Sequence, residues 1–205
     1  MIIGFSHFVE NTLNPEESAM RFLSKGYSSD FLEVGVLNHP AKKVLLKEYS
    51  EHHDLHMLRH TDCYDIEVIN HYSSENKIQD RIILHENNIV EITVPAGKLN
   101  SEYQFWQALG LSKNGNSISL KRPISAWQIT LDFKESSDPL AEQMLDLNGI
   151  TSIAFITKSI ESCMRRINDS LSWKSETFKL KVNGKSLSII LVKSPTGLII
   201  ELIEV

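Results

Sequence analysis

The residue of greatest chemical consequence lies near the C-terminus. Ser194-Pro-Thr-Gly197 is followed by Leu198-Ile-Ile-Glu-Leu-Ile-Glu-Val205. Pro195 and Gly197 suit a tight turn, so the chain is expected to reverse there and leave as a strand. Alternation then puts Leu198, Ile200 and Leu202 on one face and Ile199, Glu201 and Ile203 on the other. Both faces look buried, and one holds a carboxylate. An ionised carboxylate on an apolar face costs several kcal/mol unless a cation, a metal or good donors meet it. Glu67, between Ile66 and Val68, repeats the pattern, and His7 falls within an apolar row of Ile3, Phe5 and Val9.

Glu51-His-His-Asp-Leu-His56, with His60 beyond it, suggests zinc, for which imidazole is the commonest ligand. The spacing argues against it. In a strand His56 and His60 share a face while His53 points away, and a helical pair wants the i, i+4 arrangement. These side chains are read as solvated or cleft-lining. Neither Cys63, at a turn, nor Cys163, on a helix face, has a neighbour in sequence that resembles an activating base.

The elements that must position these groups recur in one order. Residues 2–10 read as a strand, Asn14-Pro15 opens a helix buried through Ala19, Met20, Phe22 and Leu23, and Gly26 ends it. Strands follow at 31–37, 54–59 and 64–69, with a short helix over 40–49 that turns Val44, Leu45 and Tyr49 inward and Lys42, Lys43 and Lys47 to solvent. The order begins again at Ile89: strand 89–94, a helix from about Asn100 burying Tyr103, Trp106 and Leu109, then strands at 117–121 and 126–133, one strand short. A third copy has a strand at 150–156, a helix capped by Ser159, a hairpin across Asn183-Gly184, and the terminal strand. Trp127 and Trp173 are candidates to line an apolar pocket, whereas Trp106 reads as core.

With 41% hydrophobic and 23% charged residues, the composition is that of an ordinary globular protein. A net charge of −5 with dispersed basic residues speaks against nucleic acid or an anionic membrane as partner. Two cysteines are too few for a disulfide framework, no uncharged run approaches the ~20 residues of a membrane helix, and the N-terminal residues lack a basic signal-peptide region. A cytoplasmic protein is the expectation.

Repetition of a strand-helix-strands unit, together with Lys193-Ser-Pro-Thr-Gly-Leu-Ile-Ile-Glu-Leu-Ile203 and Gly149-Ile-Thr-Ser-Ile-Ala-Phe155, resembles the vicinal oxygen chelate superfamily of glyoxalase I, bleomycin-binding proteins and extradiol dioxygenases. The resemblance implies an α+β fold of repeated βαβββ modules forming U-shaped mixed sheets with helices on the outer face. The modules would be 1–74, a shortened 89–135 and 149–205, with connections at 75–88 and 136–148. It also implies that paired modules hold a divalent ion (Zn, Ni, Mn or Fe), or none, between ligands from their first and last strands. Those positions are His7, Glu91 and Ser152, and Glu67, Thr130 and Glu201. If the first and third modules pair, His7, Glu67 and Glu201 form the ligand set, with Glu91 and Glu201 as candidate catalytic carboxylates. Ser152 departs from the family pattern. Structural roles for the acids, for instance with Arg59 as partner, remain open from sequence. The odd module count points to a homodimer. Two functions follow: a metal-dependent isomerase or lyase acting on a small oxygenated metabolite, or a metal-free protein that sequesters a small molecule.

Overall fold

The computed structural model describes residues 2–73, 77–85, 88–115, 117–121 and 128–205 of the chain. The first unit comprises β1 (Ile2–Asn11), α1 (Pro15–Leu23), β2 (Ser28–Leu37), β3 (His52–Arg59) and β4 (Asp65–Asn70). The next comprises β5 (Ile82–Leu84), β6 (Ile89–Pro95), α2 (Leu99–Leu109), β7 (Ser112–Asn114), β8 (Ser117–Lys121) and β9 (Gln128–Ser136). The last comprises β10 (Gly149–Thr157), α3 (Ile160–Ile167), β11 (Trp173–Lys174), β12 (Phe178–Val182), β13 (Lys185–Lys193) and β14 (Ile199–Glu204).

Local chemistry accounts for several of these boundaries. Ser159 Oγ accepts from Ser162 N at 3.1 Å and caps α3. Gly110 ends α2 in the left-handed conformation, φ 108°. Asn183 and Gly184, at φ 48° and 70°, make the tight turn that joins β12 to β13. Asn14 precedes α1 as expected, but its side chain makes no capping bond; Pro15 and the acids Glu16 and Glu17 mark that helix start.

Among the described residues the strands form a nine-stranded sheet, ordered β11-β13-β14-β10-β1-β4-β3-β2 with β12 also on β13, and a five-stranded sheet, β5-β6-β9-β8-β7. β1 runs antiparallel to β10, so the first and third units join edge to edge through their first strands. The two ends of the large sheet curl towards each other. Glu33 on β2 accepts from Asn183 N at 2.7 Å, and Leu180 on β12 packs on the same buried cluster as Phe31 and Val36 of β2.

The middle unit is not shortened. β7 supplies the strand the sequence reading omitted; Ser112-Lys-Asn114 is wholly exposed and has no apolar alternation to announce it. β5 likewise falls in the stretch taken as a connection. The expected strand start at Ala126 and the side chain of Trp127 lie outside the described residues. This unit covers the large sheet within the chain, so the odd number of units makes no demand for a second subunit. Trp106 is fully buried between the two sheets, its ring 6.3 Å from that of Phe133 and 5.6 Å from that of Phe155. The same core takes in Ala19 and Phe22 of α1, Cys163 and Ile167 of α3, and Phe8, Ile66, Val68, Ile153, Ile200 and Leu202 of the large sheet. Met20 and Leu23, expected in the buried stripe of α1, are instead exposed beside Leu32 and Val34 of β2.

Candidate functional site inside the curled sheet

Alternation decides which side chains face the interior. In β4, Ile66 and Val68 join the helix-side core and Ile69 a separate inner cluster, so Glu67 points inward. In β14, Ile200 and Leu202 face the helices while Ile199 and Ile203 face the interior with Glu201. In β1, Phe8 is on the helix side and Val9 inside with His7. Phe5, which strict alternation places beside His7, packs on the helix side, its ring 4.9 Å from that of Phe8. The β1–β10 register shifts between Phe5 and His7, and such an irregularity reverses the side-chain parity.

Register then brings three of the sequence candidates together. His7 pairs with Ala154, Ala154 with Glu201, and Glu67 lies on the other side of β1 opposite Val9. His7 and Glu201 thus stand two strand spacings apart, about 9.6 Å. The methyl of Ala154 between them leaves room for the longer side chains to converge. His7 Nε2 lies 3.7 Å from Glu67 Oε2, while its Nδ1 lies 3.0 Å from Ser6 Oγ. His7 is 6% exposed, and Nε2 has no hydrogen-bond partner among the described residues.

The electrostatics follow from burial. Desolvation lowers the pKa of His7, so its imidazole is held neutral, although Glu201 and Asp65 oppose the shift. Desolvation raises the pKa of Glu67 and that of Glu201, and for Glu201 the neighbouring Glu67 adds to the rise. No hydrogen-bond donor of a described residue meets either carboxylate. Arg59 is not their partner: it pairs with Asp30 at 2.8 Å and Asp65 at 3.4 Å.

Glu91 is not part of this site. It lies on β6 in the other sheet, where it pairs with Lys134 and stands 3.9 Å from His85 Nε2. Parity within β6 gave it an equivalent strand position, but the pairing of the first and third units leaves that position outside the interior. Thr130 lies on β9 of the same smaller sheet, and Ser152 sits buried on β10.

The residue that sequence reasoning misplaced is Lys42. Residues 40–45 form a 3₁₀ helix, whose period of three puts Lys42 and Leu45 on one side. Both are buried, and Val44, expected inside, is 62% exposed. The helix is pinned by Asp146, which accepts from Lys47 N at 2.9 Å and Glu48 N at 2.8 Å, and by Leu145 N donating to Leu45 O at 2.8 Å. Lys42 lies close enough to lower the pKa of Glu67 and Glu201 on one side and of His53 and His71 on the other. It forms no ion pair with a described residue.

The histidine-rich stretch divides between two faces. His53 is fully buried in the interior, with its ring 5.2 Å from that of His71 and neither nitrogen hydrogen-bonded to a described residue. His56 lies on the outer face against Ser29 Oγ at 2.7 Å, and His60 against the Tyr27 ring. His71 was findable: it continues the inward parity of Glu67 and Ile69. Trp173 is half-buried against the Leu45 cluster.

The donor set was tested against a divalent ion. One imidazole nitrogen and two carboxylates are suitable ligand types, and Nε2 of His7 is free. Among the described residues, however, no group of three His, Cys, Asp or Glu side chains closes into a metal-binding cluster. The charge of the buried Lys42 also acts on both carboxylates. The residues present do not fit a preformed metal centre.

No protein-family model matches this sequence, and no curated protein matches it. Comparison with solved structures finds a variant of glyoxalase I from Zea mays at 15% identity and TM-score 0.38, covering 100% of this chain and 68% of that one. It also finds the bleomycin resistance determinant of transposon Tn5 at 14% identity and TM-score 0.36, covering 56% of this chain and 94% of that one. The oxidase ChaP-H1 is found at 16% identity and TM-score 0.38, covering 60% and 97%. Strand order and register define the class: a mixed α+β protein in which strand-helix-strand units join into curled mixed sheets. Among the described residues no helix is long and apolar enough to cross a membrane.

Proposed function

We propose that the chain takes a small oxygenated molecule into the curled sheet and moves a proton on it, as an isomerase or lyase without a resident metal. One observation supports this above the others: a neutral imidazole and two largely buried carboxylates face the same interior, and no hydrogen-bond donor among the described residues meets the carboxylates or His7 Nε2. Structural carboxylates in an interior are hydrogen-bonded, whereas groups poised for proton transfer have perturbed affinities and await a ligand. The tautomer with its proton on Nδ1, donated to Ser6 Oγ, leaves the lone pair of His7 Nε2 free. That nitrogen removes a proton from the carbon next to a carbonyl, and the carboxyl of Glu201 or Glu67, kept protonated above the usual range, delivers one to the adjacent atom. Glu91 has no role.

Deuterium exchange from D2O into a panel of small 2-hydroxy carbonyl compounds, followed by proton NMR in the presence of chelator, tests this. The wild type exchanges the carbon-bound proton of at least one compound, and His7→Gln abolishes exchange without lowering the melting temperature. A compound that binds but does not exchange would show that the cleft only sequesters. A stoichiometric divalent ion in protein purified without chelator would overturn the metal-free reading.

A further inference from the structure

The interior contains a second group of unsatisfied polar atoms beyond His7 and the two acids. His53 is fully buried on β3, Asn38 is 4% exposed, and neither ring nitrogen of His53 nor Oδ1 of Asn38 has a hydrogen-bond partner among the described residues. Asn38 Nδ2 reaches Ser50 O at 3.0 Å and His71 Nδ1 at 3.3 Å, which joins Asn38, His71 and His53 into one cluster. Lys42, buried at 7% exposure, lies in the 3₁₀ helix of residues 40–45 shortly after Asn38 in the chain, and its charge acts on His53 and His71 as well as on both carboxylates. Lysine is almost never buried without a partner. A neutral imidazole with nothing to bond is similarly costly, since each unmade hydrogen bond forfeits the water it displaced.

We propose that Lys42, His53 and Asn38 form a carboxylate-binding subsite for a small hydroxy acid inside the curled sheet. The ammonium and one imidazole N–H donate to the carboxylate oxygens. The adjacent hydroxyl donates to Asn38 Oδ1 or to the remaining imidazole nitrogen. A bare carboxylate would leave those acceptors unpaired, and a neutral ligand would leave the ammonium unpaired. The ammonium thereby supplies the positive charge that a divalent ion gives to metal-dependent relatives. The cluster meets the surface at Asn38, which lines a groove of about 920 Å³ together with His39, Tyr49 and Lys179 and Lys181 of β12. Glu33 and Glu51 also line it, so specificity falls to the interior.

This subsite deepens the function proposed above, resting on the interior as the ligand site, but its test is separate. Calorimetric titration of the full chain in chelator would use sodium glycolate and its neutral isostere glycolamide. Glycolate is expected to bind at least about tenfold more tightly than glycolamide, the worth of a charge-assisted hydrogen bond. Lys42→Met loses that preference while keeping the melting temperature, because an apolar side chain of similar length replaces an unpaired buried charge. His53→Phe weakens glycolate binding without removing the preference for charge. His7→Gln, which ends proton exchange, retains glycolate binding, so failure of the catalytic reading and failure of the subsite are told apart. Equal affinities for glycolate and glycolamide, unchanged binding by Lys42→Met, or no glycolate binding in the millimolar range would each overturn the proposal.

Discussion

Glu201→Gln offers a stringent check of the interior electrostatics, because it should stabilise the protein. Burial raises the proton affinity of Glu201 and Glu67 in the folded state from the ordinary carboxylate value of 4.5. The native state therefore holds more protons than the unfolded chain from that pH upward. The stability this confers is complete below 4.5 and is lost as pH rises through the folded values. Above pH 4.5 the chain bears the cost either of keeping a proton on the acid or of burying its charge. Desolvation is the largest cause of the rise at Glu201; Glu67 adds to it, and His7 and Lys42 oppose it. Glu201 keeps some solvent contact, which limits the gain on substitution to about 1–3 kcal/mol. For a chain of this size that corresponds to about 2–12 °C in melting temperature. Thermal melts of wild type, Glu201→Gln and Glu67→Gln from pH 5 to 8 measure it. The wild type should lose stability with rising pH, and each variant should show a shallower slope, most distinct from wild type at the alkaline end. A Glu201→Gln protein less stable than wild type at pH 8 would refute the reasoning, since it would mean that a donor or cation satisfies the ionised carboxylate.

Two other substitutions probe the scaffold that holds the site. Glu102, fully buried on α2, accepts from Trp106 Nε1 at 2.9 Å, Ser194 Oγ at 3.0 Å and Thr196 N at 3.2 Å, tying the middle unit to the turn before β14. Glu102→Ala should cost about 3–5 kcal/mol in urea unfolding with an unchanged denaturant slope, and Glu102→Gln clearly less, because the amide keeps an acceptor. Gly149 has φ +111°, and a Cβ there would lie 2.5 Å from Gln79 O; Gly149→Ala should cost about 2–4 kcal/mol. Gly35→Ala, at φ +69° with open space around it, should cost only about 1 kcal/mol, and equal losses in the two variants would argue against the backbone contact.

Alternation alone indicated that Glu67 and Glu201 face away from the apolar residues beside them, because a strand offers only two sides and both neighbours of each acid are large aliphatic groups. The repeat of strand, helix and strands was likewise legible, since turn residues such as Gly110 and Asn183-Gly184 punctuate periodic segments. Phe5 shows where that reading fails: a shift in register against β10 moves it to the opposite face from His7, and nothing in residues 2–10 signals the shift. Lys42 shows the same limit for a helix. The difference between 3.0 and 3.6 residues per turn reverses which of Lys42 and Val44 is buried, and short segments carry too few residues to reveal their period.

What the sequence determined by itself was local: which stretches extend or coil, and which polar residues sit where apolar ones are expected. Tertiary structure decided the rest. Joining the first and third units along β1 and β10 set His7 beside Glu67 and, across Ala154, within reach of Glu201, while leaving Glu91 on a different sheet. That pairing and the folding of Lys42 into the interior depend on contacts between residues about a hundred or more positions apart. Such contacts are selected by the burial of whole faces rather than by any local pattern.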